Sequence, residues 1–114
     1  MQFRIVLFFA MLFPFLAYSQ EKGPVTSISG KVIEESTGLP LEFATVSLFS
    51  KTDNALLSGG LTGVDGTFSV EGSAKEMYIL IEFLSFSTKR IDNIMPKDGQ
   101  KSITLGDIVI ASDA

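Results

Sequence analysis

The sequence predicts an all-β chain: a seven-stranded antiparallel β-sandwich preceded by a signal peptide. Three observations carry this. Beyond residue 25 the chain is a series of short alternating segments broken every eight to twelve residues by Gly, Pro, Asn or Asp, the punctuation of an all-β domain. No stretch keeps a helical period for more than two turns. Finally, 114 residues without a cysteine suffice for one modest hydrophobic core and no disulfide framework.

The leader is read from its apolar density. Five of the ten phenylalanines fall within the first fifteen positions, and Ile5 to Ala17 contains no polar side chain. A spanning helix needs about 20 apolar residues, and this run has 13, with Pro14 near its end. Arg4 supplies the positive start, and Ala17-Tyr18-Ser19 places small side chains where a signal peptidase reads them. Residues 1–19 are therefore expected to be removed between Ser19 and Gln20. No cysteine follows that site, so lipid attachment by the bacterial lipoprotein route is excluded. Removal takes away Arg4 and no acid, leaving 95 residues with eight bases and thirteen acids and no membrane span.

After a linker at 20–25, the domain is expected over 26–110 and a tail over 111–114. The first strand, Thr26 to Ile33, sets Ile28, Gly30 and Val32 on one face and Ser27, Ser29 and Lys31 on the other. Glu34 to Pro40 reverses the chain, because Gly38 accepts positive φ and Pro40 cannot donate to a ladder. The second strand, Leu41 to Lys51, alternates Ala44, Val46 and Leu48 against Phe43, Thr45, Ser47 and Phe49. Asp53-Asn54 turns into a third strand, Ala55 to Thr62, in which Gly59-Gly60 predicts a kink. Asp65-Gly66 reads as a second hairpin turn into Thr67 to Glu71, with Phe68 and Val70 inward.

The fifth strand, Met77 to Ser85, offers two apolar faces. Glu82 shares one with Tyr78, Leu80 and Leu84, and an unpaired carboxylate in a dry core costs several kcal/mol. The core face is therefore Ile79, Ile81 and Phe83, which leaves Tyr78, Leu80 and Leu84 exposed or covered by something else. A sixth strand over Ser87 to Asn93, a turn at Met95 to Gly99 and a seventh strand over Ser102 to Ile110 complete the domain. Seven short strands suit two facing sheets better than a barrel.

Composition narrows the chemistry. With neither Cys nor His there is no thiol nucleophile, no Cys/His zinc site, no haem-ligating His and no Ser-His-Asp machinery. Ser27, Ser29, Ser47, Ser58 and Ser69 read as the polar faces of strands, because no base exists to activate them. A formal charge of −4 lacks the cationic surplus that phosphate neutralisation requires, so no nucleic-acid partner is expected. Glu34-Glu35 and Asp65 with Glu71 are the acidic groupings to weigh as a calcium site; their spacing matches no EF-hand loop, and solvated turn carboxylates are the preferred reading. No catalytic residue, metal site or cofactor is called for. The one feature that suggests a partner is the apolar set Tyr78, Leu80 and Leu84, with Phe43 and Phe49 as possible additions, if it forms a contiguous patch.

The order Ile28-Ser29-Gly30-Lys31-Val32, Thr37-Gly38-Leu39-Pro40-Leu41, Ala44-Thr45-Val46, Thr62 to Phe68 with Asp65-Gly66, then Tyr78 and Phe83 to Phe86 resembles the carboxypeptidase regulatory-like domain, as found at the N-terminus of TonB-dependent outer-membrane receptors and related β-barrel proteins of Gram-negative bacteria. The resemblance covers nearly the whole mature chain and implies a transthyretin-like or Ig-like sandwich. Gly30, Gly38, Pro40, Asp65 and Gly66 are then turn and packing residues, not catalysts. Two departures stand out: Gly63 occupies a position where the family commonly has an acid, and Ser85-Phe86 replaces its usual Gly-Tyr. The resemblance implies export to the periplasm or outer membrane and a protein partner in the cell envelope, such as a receptor plug, a barrel or an associated lipoprotein, in TonB-dependent transport. The chain would be a free-standing accessory module or the front of a longer receptor. The alternative is a free-standing module that binds glycans or peptides.

Overall fold

The computed structural model describes residues 24–113. The expected leader, the Ser19/Gln20 cleavage and most of the 20–25 linker lie outside those residues. The described chain forms seven strands in two sheets: β1 (Thr26–Glu34), β2 (Thr45–Ser50), β3 (Leu56–Leu61), β4 (Thr67–Gly72), β5 (Met77–Glu82), β6 (Lys89–Ile94) and β7 (Ser102–Ile110). One sheet runs β4-β1-β7 and the other β3-β2-β5-β6. No helix among the described residues is long and apolar enough to cross a membrane.

The core follows from alternation. Ile28, Val32, Phe68, Val70, Ile108 and Ile110 face Ala44, Val46, Leu48, Met77, Ile79 and Ile81 across the gap between the sheets. Each is buried while its strand neighbours are more exposed, as expected where one sheet face meets a second sheet and the other meets water. Glu82 is exposed and Ile79 and Ile81 are fully buried, so the carboxylate argument selects the right face of β5. Phe83 is half-buried, packing on the core edge-to-face with Phe86 at 5.5 Å.

The structure departs from the sequence reading in its topology, at strand ends and in the tail. β1 and β7 pair in parallel, whereas the other strand pairs are antiparallel. The Asp65-Gly66 turn does not close a hairpin: it carries the chain from β3, at the edge of one sheet, to β4, at the edge of the other. The irregularity between β2 and β3 lies beside Leu57, where Leu48 pairs with Ser58 and Phe49 with Leu56, while Gly59 and Gly60 keep regular register. β2 begins at Thr45, four residues later than expected, because Leu41 to Ala44 form a separate loop. The tail also has structure, since Ser112 bridges Phe86 and thereby ties the end of one sheet to the loop of the other.

Candidate functional site

The motif residues converge on one corner of the sandwich. Gly38 lies at φ 73° in the turn after β1, where its N–H donates to the Glu34 carbonyl at 2.8 Å. Pro40 follows and bridges back to Ile33. Gly66, at φ 80°, accepts the Val32 N–H at 2.8 Å. A side chain at Gly66 would sit 2.6 Å from the Val32 carbonyl oxygen and 3.0 Å from Pro40, so two turns distant in sequence meet over β1 only because this position has none. Asp65 completes the turn by accepting the Thr67 hydroxyl at 2.7 Å and the Thr67 N–H at 3.2 Å. These bonds hold the Asp65 carboxyl below its ordinary pKa, helped by the charge of Lys31. Gly30 packs as expected, with a notional β-carbon 2.9 Å from Phe68 and 3.1 Å from Ile108. All five residues build the fold. Among the described residues no three acids gather to hold a metal, and the Glu34 carboxylate accepts the neighbouring Ser36 and Thr37 hydroxyls.

Beside this corner the structure exposes an apolar rim. Thr45 pairs with Glu82, so the loops entering β2 and leaving β5 lie together at one end of the larger sheet. There Phe43 is 63% and Leu84 85% exposed, and both line a shallow groove with Thr45, Glu82, Phe83, Ser85 and Thr88. Phe43 has φ 67°, a left-handed conformation that bulky residues rarely adopt. Thr62 imposes it. This side chain, 2% exposed, donates its hydroxyl proton to the Leu41 carbonyl at 2.6 Å and accepts the Ala44 N–H at 2.9 Å, while the Phe43 N–H donates to the Thr62 carbonyl at 3.0 Å. The opposite wall is pinned too. Ser85, at φ 69°, accepts the Asp113 N–H at 2.8 Å, and the Ser87 hydroxyl donates to the Asp113 carboxylate at 2.6 Å.

The three residues of the expected patch do not lie together on one exposed surface. Tyr78 is only 6% exposed. Phe49 stacks on it at 5.1 Å, the Arg90 guanidinium lies 3.9 Å from its ring centre, and its hydroxyl donates to the Asn54 side chain at 2.9 Å. Asp92 holds that guanidinium at 3.0 Å, which raises the Arg90 pKa and lowers that of Asp92. Leu80 is half-buried on the same face, between Ser47 and Arg90. Leu84 lies beyond the end of β5, where strand alternation has ceased, and groups instead with Phe43. No local pattern announces this: the cover over Tyr78 comes from Phe49 on β2 and Arg90 on β6, and Phe is among the residues least expected at positive φ.

No family model and no curated protein sequence matches the chain. Solved structures do match in fold. Hydroxyquinol 1,2-dioxygenase from Pseudomonas putida DLL-E4 superposes with a TM-score of 0.61 at 10% identity, over 82% of this chain and 58% of that one, so the chain spans little more than half of that protein. Klebsiella pneumoniae 5-hydroxyisourate hydrolase gives 0.57 at 22% identity, over 78% and 92%. The group B streptococcus pilus 2b backbone protein gives 0.53 at 17% identity, over 76% and 41%. The fold is thus shared with transthyretin-like domains and Ig-like pilin domains, and its bearers include enzymes and structural proteins alike. At these identities the likeness concerns architecture, and function has to be argued from the site.

Proposed function

We propose that the chain is an exported, non-catalytic β-sandwich of the carboxypeptidase regulatory-like kind, which docks on a protein of the cell envelope and serves TonB-dependent outer-membrane transport. The observation that carries the docking role is Phe43. An aromatic residue in a left-handed conformation, clasped by a buried threonine and turned to solvent, is a local cost that the rest of the fold sustains, and such strain concentrates at binding sites. Leu84 across the groove supplies a second apolar contact on a wall equally pinned, so little order has to be gained on binding. The resemblance and the apolar leader support the compartment. The absence of His and Cys throughout the sequence supports a role without catalysis.

The experiment compares the chain with a Phe43→Ser/Leu84→Ser double variant. Each is used to capture proteins from envelope extract and, separately, is applied to a glycan array. The expected result is capture of a defined outer-membrane receptor, plug or lipoprotein that the double variant loses while keeping its melting temperature. Binding to sugars alone would favour the glycan-module reading.

A further inference from the structure

Two Asp-Gly pairs lie in turns of the described chain, Asp65-Gly66 and Asp98-Gly99. In such a pair the backbone nitrogen of glycine, with no side chain beside it, is free to attack the aspartyl carboxyl carbon. The structure treats the two pairs very differently. Gly66 is buried, its N–H donates to the Gly63 carbonyl at 2.9 Å, and the Asp65 carboxylate accepts both the hydroxyl and the N–H of Thr67. Those last two bonds also keep Asp65 ionised, and the ionised carboxyl is the poorer electrophile.

At Asp98-Gly99 this restraint is missing. Both residues are exposed in the turn between β6 and β7, and neither the Asp98 carboxylate nor the Gly99 N–H has a hydrogen-bond partner among the described residues. Nothing lies within 4 Å of the place a Gly99 side chain would take, so the pair has room to close into a ring. The fold nevertheless uses this turn. Across it the Gln100 N–H donates to the Lys97 carbonyl at 2.9 Å, and the Lys97 N–H donates to the Gln100 side-chain carbonyl at 2.9 Å. The Gln100 backbone carbonyl in turn accepts the hydroxyl of buried Thr26 at 3.0 Å.

We infer that Asp98 is a site of spontaneous modification, isomerising to isoaspartate in the folded protein while Asp65 is spared. The Gly99 nitrogen bonds to the side-chain carboxyl carbon of Asp98, and its proton leaves with the carboxyl hydroxyl as water. A cyclic imide results. Solvent water then adds at the former main-chain carbonyl carbon of Asp98, the bond from that carbon to nitrogen breaks, and a proton returns to the nitrogen. Composition and oxidation state are unchanged, but the main chain now runs through the side-chain methylene and is longer by one carbon. A turn lengthened between Lys97 and Gln100 no longer closes its hydrogen bond, and the loss loosens the anchor of Thr26 at the start of β1.

The test ages the full chain at neutral pH in water enriched in heavy oxygen, folded in one arm and unfolded in guanidinium in the other, and compares positions 65 and 98 by peptide mapping. Each isoaspartate formed carries one heavy oxygen. In the folded chain it should accumulate at least about tenfold faster at 98 than at 65, because the hydrogen bonds around Asp65 and Gly66 must open first and leave only a minor population reactive. In guanidinium the two positions should react alike. Asp98→Glu, at an exposed position, should fold as the parent does and form no such product, since the longer side chain closes the imide far less readily. Aged side by side, the parent should lose melting temperature and this variant should keep it. No product at 98 in the folded chain, equal amounts at 65 and 98, the same preference in guanidinium, or an aged parent that melts like aged Asp98→Glu would overturn the inference.

Discussion

The Thr62 hydroxyl donates to the Leu41 carbonyl at 2.6 Å from a site almost closed to water, and it also takes the Ala44 N–H at 2.9 Å. One side chain thus satisfies two backbone groups of the loop that presents Phe43. Thr62→Val keeps the shape and removes both bonds. A buried polar group left without its partner costs about 1–3 kcal/mol, so thermal unfolding should shift down by a clear margin. Thr62→Ser should retain most of the stability.

Ser85 tests the strain on the opposite wall. Its φ of 69° penalises a residue with a β-carbon, and left-handed backbone costs roughly 1–2 kcal/mol that glycine does not incur. Ser85→Gly is expected to raise stability by part of that amount in denaturant titrations, because the added freedom of the unfolded chain offsets some of the gain.

Gly66 and Gly38 share a positive φ and differ in surroundings. A β-carbon at Gly66 meets backbone and Pro40, whereas at Gly38 nothing lies within 4 Å. Gly38→Ala should therefore cost about 1 kcal/mol, the conformational share alone, and Gly66→Ala distinctly more. Gly30→Ala belongs with the second kind: Phe68 and Ile108 must move, and overpacking a core costs about 1–3 kcal/mol. Chemical denaturation of the three variants ranks them.

Acid should weaken the turn at Asp65. Its carboxyl is held below the ordinary value chiefly by the Thr67 hydroxyl and N–H. A folded-state pKa lowered in this way gives stability that is complete above the unfolded value of about 3.9 and is lost as pH falls through the folded one. Asp65→Asn does not titrate, so its melting temperature should fall less steeply than that of the parent chain as pH drops through this window.

Local chemistry made much of this structure legible in advance. Glu82 selected Ile79 and Ile81 for the core, Gly38 and Pro40 placed a reversal, and β7 starts and ends at the expected Ser102 and Ile110. What escaped depends on partners remote in sequence. A hairpin and a crossing between sheets begin with the same Asp-Gly turn, and only the pairing of β4 with β1 distinguishes them. The parallel pairing of β1 with β7 has no local signature in strands of this length. Tyr78 carries the alternation of an outward residue and is nevertheless buried, because Arg90 and Phe49 close over it. The rim of Phe43 and Leu84 was half legible: both residues stood out as apolar on an outer face, but their meeting depends on Thr62 and on the backbone at Phe43 and Ser85.

The docking role of that rim is tested most directly by a photo-reactive phenylalanine analogue placed at position 43, in cells that export the chain. Illumination should join it to one envelope protein, and the Leu84→Ser background should lose the adduct. An adduct equally strong from an analogue at exposed Ser69 on the opposite sheet, or no protein adduct from position 43, would contradict the account.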